Sequence, residues 1–127
     1  MTKNTIPTAT ELAILQVLWS HGPMTVREVH EHLSADERMG YTSALKMLQV
    51  MHKKGLVKRN ESQRSQVYRS ARPAEQTQRG LVKNLVDKAF AGSATDLVVR
   101  ALASKKLTAD EIETMRALID AKAKENG

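Results

Sequence analysis

Apolar residues fall three and four apart over most of the chain, the period of an α-helix buried on one face. Leu12, Leu15, Leu18 and Trp19 mark a first helix over about 8–20, stopped by His21-Gly22-Pro23. Val26, Val29 and Leu33 mark a short second helix over about 25–34. After the polar stretch "SADERMG", residues 41–54 repeat the pattern and end on Gly55, behind Lys53 and Lys54. The helical period then lapses. Leu56-Val57 and Val67-Tyr68 flank a polar loop over 61–65, which predicts a two-stranded hairpin. Because Asn-Gly and Asp-Gly are absent there, the loop should be longer than two residues. Beyond Pro73 the chain is predicted helical throughout, in three segments that begin near 74, 93 and 108.

Four helix starts carry the same signature, a Ser or Thr followed three residues later by an acid. The pairs are Thr8 with Glu11, Thr25 with Glu28, Ser93 with Asp96 and Thr108 with Glu111. In such a box the hydroxyl accepts from the third helical amide and the acid accepts from the cap's own amide.

Three helices and a hairpin in about 65 residues follow the order of a winged helix-turn-helix, and two domains are expected, 1–72 and 73–127. The fold class is therefore mainly α, with a C-terminal helical region. In the winged-helix module the third helix enters the major groove and the hairpin reaches neighbouring backbone. That helix divides as the role requires. Ala44, Leu45, Met47, Leu48 and Met51 share one arc, the predicted core face. Thr42, Ser43, Lys46, Gln49, Val50 and Lys53 occupy the other. Hydroxyls, an amide and ammonium groups bond base edges and phosphates. Thr42, Ser43 and Lys46, near the helix start, are expected at the bases, with Gln49 also in reach. Lys53 and Lys54 are expected at phosphate.

Charge strengthens the assignment. The protein carries a formal +6, and residues 46–72 hold eight Lys or Arg against one acid, Glu61. On the hairpin, Lys58, Arg59, Arg64 and Arg69 are cationic; alternation sends Arg59 to the side of Val57, and Arg64 is the best-placed DNA contact.

The stretches "TELAILQVLWSHGPMTVREVHEHLS", "YTSALKMLQVMHKKGLVKR" and "VYR" resemble the BlaI/MecI family of penicillinase repressors. Further on, "FAGSATDLVVRAL" and "LTADEIETMRALID" are similar to that family's hinge and final helix, so the likeness spans nearly the whole chain. The resemblance implies a homodimeric transcriptional repressor that binds a pseudo-palindromic operator in double-stranded DNA and dimerises through its C-terminal helices. The residue pattern points the same way. Leu81, Leu85, Phe90, Leu97, Leu102, Ile112, Met115 and Ile119 lie on broad apolar faces that a monomer would hardly cover. Three departures stand out. The wing turn reads Ser62-Gln63-Arg64 where relatives commonly carry Asp-Gly, and Val50 stands where they often have a basic residue. Antibiotic-responsive members are cut by a sensor-coupled protease at an Asn-Phe pair, and the aligned pair here is Arg100-Ala101.

Other chemistry finds little footing. The chain has no cysteine, which removes disulfides and thiolate metal sensing. His30 and His32 are two apart on a helix and do not share a face. No phosphate loop, nucleophile elbow or paired carboxylates occur, so neither an enzyme, a cofactor nor a metal is expected. No membrane span or signal peptide is evident, which reads as a cytoplasmic protein. Two rival readings are a regulator sensing a small ligand between its halves, and a winged helix that binds protein without DNA.

Overall fold

The computed structural model of the protein describes residues 6–61 and 64–126. Helix starts follow the capping signatures. Thr8 Oγ1 accepts from the Glu11 amide at 3.2 Å and Glu11 Oε1 accepts from the Thr8 amide at 2.9 Å, opening α1 at Ala9–His21. Thr25 and Glu28 repeat the reciprocal pair at the start of α2, Val26–His32. At the fourth site Thr108 and Glu111 do the same for α6, Ala109–Asn126. Ser93 makes only the forward bond, accepting from the Asp96 amide at 3.0 Å at the head of α5, Ala94–Ser104. Aspartate is one methylene shorter than glutamate, which shortens the return reach.

Between these lie α3, Tyr41–Lys54, the strands β2, Val57–Asn60, and β3, Val67–Ser70, and α4, Ala74–Ala89. Six residues join β2 to β3, so the loop is longer than two; its Ser62 and Gln63 lie outside the described residues. A single 3₁₀ turn at Ala35–Glu37 sits between α2 and α3. Gly55 closes α3 in the left-handed conformation, φ 82°, with its amide on the His52 and Met51 carbonyls.

One element was not anticipated. Met24–Thr25 forms a short strand, β1, antiparallel to β3, so the sheet has three strands in the order β1-β3-β2. Tyr68, fully buried, lies opposite Met24 on one side and Arg59 on the other. It shares one buried core with residues of all three helices. The core is completed by Ile14, Leu15 and Leu18 of α1, Val26 and Val29 of α2, and Ala44, Leu48 and Met51 of α3. Trp19 packs at its edge and donates Nε1–H to Ser70 Oγ at 2.9 Å, which pins α1 to β3.

The chain divides into two compact units between Val82 and Lys83, within α4. The first holds the core just described. In the second, no described residue of α5 or α6 is buried. Leu102, Ile112 and Ile119 are exposed, and Leu97 and Met115 half-exposed. Along α4 itself, Leu85 is exposed and Leu81 half-exposed; Phe90, just after it, is also half-exposed. Arg100 and Ala101 are exposed on α5. Among the described residues, no helix is long and apolar enough to cross a membrane.

Candidate nucleic-acid interface

The split face predicted for α3 is what forms. Ala44, Leu48 and Met51 are buried, with Leu45 and Met47 packed at the margin. Thr42, Ser43, Lys46, Gln49, Val50 and Lys53 are all exposed. Among the described residues, neither Lys46 nor Lys53 has a carboxylate partner, and no acid interrupts residues 38–60. Two ammonium groups held without counter-charges on a rigid helix concentrate positive potential on that face.

Lys54, unlike Lys46 and Lys53, has a carboxylate partner among the described residues. Its Nζ donates to Glu11 Oε2 at 2.7 Å, and Glu11 is only 1% exposed. The cause is angular. Lys54 sits on the flank of α3 that turns toward α1, whereas Lys53 points with Lys46. Burial pushes the Glu11 carboxyl up, but the bonds from Lys54 and from the Thr8 amide outweigh that and hold it below its ordinary value. Glu11 therefore does two jobs, closing the cap of α1 and anchoring the end of α3. Sequence reading had credited only the first. The signal for the second was present, because Glu11, Ile14, Leu15 and Leu18 are spaced as one helical stripe.

The hairpin presents cations on both faces. Lys58 lies directly opposite Arg69, so both project from the outer side of the sheet, and both are exposed. Arg59, on the inner side with Val57 and Tyr68, is half-buried and donates Nε–H to Glu61 Oε2 at 2.6 Å. Arg64 is exposed in the loop. Strand alternation places Arg59 on the side of Val57 and leaves open what faces that side. An open groove of about 420 Å³ runs from α3 to β2 and is lined by Lys46, Gln49, Val50, His52, Lys53 and Arg59. His52 was thus missed, and Arg59 was counted only as a hairpin cation; no local pattern reveals their place beside Lys46 and Lys53, since the groove exists only once β2 folds back beside α3.

The remaining histidines are used between elements. The His21 and His32 rings sit 4.2 Å apart across α1 and α2, and His30 meets Tyr41 edge-on at 6.4 Å. Among the described residues, no group of three or more His, Asp or Glu is placed to hold a metal ion.

Three helices around a three-stranded sheet, with an open cationic helix beside a basic hairpin, define a winged helix-turn-helix protein. Residues 7–121 match the penicillinase repressor family, and the chain belongs to it. It is 32% identical over 108 residues to the transcriptional regulator BlaI of Mycobacterium tuberculosis, in strains CDC 1551 / Oshkosh and ATCC 25618 / H37Rv alike. That alignment covers 84% of this chain and 77% of the relative. Among solved structures, it is similar to the solution structure of the DNA-binding domain of the repressor BlaI, with a TM-score of 0.50 and 26% identity. The match spans 58% of this chain and 90% of that domain.

Proposed function

We propose that this transcriptional regulator is a homodimeric repressor that occupies a pseudo-palindromic operator in double-stranded DNA. One observation carries the proposal: the uninterrupted, unpaired cationic face of α3, open to solvent and continuous with a groove that reaches the hairpin. The curated relative is named a transcriptional regulator, and the solved domain is titled DNA-binding and repressor. In this reading residues 1–72 bind DNA and 73–127 dimerise. Thr42, Ser43 and Lys46 lie at base edges, Gln49 beside them, and Lys53 and Arg64 at phosphates. Lys54 acts from behind, through Glu11, to hold the helix in place.

The exposed apolar residues of the C-terminal helices supply the reason for a dimer. Leu118 is 64% and Ile119 62% exposed, and Val98, Val99 and Leu102 on α5 are exposed as well. A twofold partner would cover such a surface and set two recognition helices about one DNA turn apart, which matches a palindromic site. Neither catalysis nor a cofactor enters the proposal, and the protein acts in the cytoplasm. Cleavage between Arg100 and Ala101 is not part of it, because that pair differs from the family's Asn-Phe.

Gel shifts across a salt series test the reading, using DNA that flanks the protein's own gene. Affinity should fall linearly in log–log form with salt, and Lys46→Ala and Arg64→Ala should each weaken binding. The Arg64 variant should also lose about one unit of salt slope, as expected for one phosphate contact. Binding that ignores salt and both substitutions would favour a protein-binding winged helix instead.

A further inference from the structure

We infer that Val50 is a specificity-determining residue, reading thymine by packing its methyl groups against the C5-methyl in the major groove. The inference rests on the DNA-binding role proposed for α3. Val50 is 42% exposed and is the one aliphatic side chain on that helix's outward face. By helical angle it falls between Ser43 and Lys46, and it lines the groove with Lys46, Gln49 and Lys53. It therefore shares the outward face with the residues proposed at base edges, one helical turn beyond Lys46 and next to Gln49.

The chemistry then narrows the partner. Valine can neither donate nor accept a hydrogen bond, so it adds nothing at a phosphate or at a base nitrogen or oxygen. The major groove displays one apolar group, the thymine methyl. An isolated exposed valine is ordinary on a protein surface. This one is framed by cations that would draw the duplex against it, and contact there excludes water from both methyl surfaces. Gln49, the adjacent residue, carries the amide that pairs in bidentate fashion with adenine. The expected half-site therefore contains a thymine whose methyl is recognised, within reach of bases read by Gln49 and Lys46.

The test uses the full-length chain and a binding sequence selected from a randomised duplex pool. Each thymine of that sequence is replaced singly by deoxyuridine, which deletes only the methyl. Affinities are then measured for the native chain, Val50→Ala and Val50→Thr at one salt concentration. One thymine per half-site should lose about fourfold with the native chain, the worth of one buried methyl. Val50→Ala should be nearly indifferent to that replacement, and Val50→Thr intermediate. Every other thymine should respond equally in all three proteins. Should no replacement depend on residue 50, Val50 does not read thymine, and the inference falls while DNA binding stands. A pool that yields no enriched sequence overturns both. Because Val50 is exposed, its substitution leaves no cavity, and Trp19 emission verifies that each variant is folded.

Discussion

Replacing Lys54 by methionine would strand the Glu11 carboxylate, and the consequences follow from the asymmetry of the pair. The Lys54 side chain is 36% exposed, whereas that of Glu11 is 2% exposed. Without its partner, Lys54 can turn to water; Glu11 cannot. Glu11→Gln keeps an oxygen for the Thr8 amide and frees a half-exposed ammonium, so it should cost about 1 kcal/mol after solvent screening. Lys54→Met leaves a buried charge satisfied only by the Thr8 cap and should cost about 3 kcal/mol near neutral pH. The double variant should be nearly as stable as Glu11→Gln alone, because the stranded charge is gone. The pH dependence should also reverse in sign. In the native chain the folded pKa of Glu11 is lowered from 4.5, so its contribution is present above that value and lost as pH falls through the lower one. Without Lys54 only the Thr8 bonds oppose burial, and the folded value is expected to rise. Stability then declines as pH rises through it, and the gap between variant and native chain widens from pH 4 to 7. Urea unfolding followed by the emission of Trp19, the single tryptophan, reads this in the unit that contains the pair. Equal losses for the two single variants, or a pH-independent gap, would refute the reasoning.

Two further outcomes are expected. Gly55→Ala should lower stability by about 1 kcal/mol in urea unfolding, because φ of 82° suits glycine while no atom within 4 Å would obstruct the added carbon. Leu85→Asp should convert a dimer into a monomer in sedimentation equilibrium and reduce operator affinity, with the winged-helix unit still folded; an unchanged mass would remove Leu85 from the dimer surface.

The helices and the hairpin were legible because each has a local cause: caps at Thr8, Thr25 and Thr108, a glycine stop at Gly55, and a sustained period between them. β1 was not legible. Two residues cannot display alternation, and Met24 acquires its partner only when Tyr68 arrives from distant sequence. The α3 face was readable residue by residue because helical angle alone sorts Lys46 and Lys53 outward and Leu48 inward. What lay beyond it depended on tertiary approach. Lys54 and Lys53 are neighbours of identical chemistry, yet 100° of rotation sends one to Glu11 and leaves the other open. Arg59 joined the groove for the same reason, since strand alternation gave its side of the sheet but not what faced that side.

The opposition of Lys58 and Arg69 across β2 and β3 gives the hairpin an ionic response of its own. Like charges placed directly opposite in a sheet destabilise it by a few tenths of a kcal/mol, and mobile ions relieve that repulsion. Raising salt should thus firm the free hairpin while it loosens a complex with DNA. A polyanion would act on the hairpin as concentrated salt does, neutralising the pair locally. The wing would then be more rigid when bound than when free, with part of the stiffening supplied by the ligand's charge.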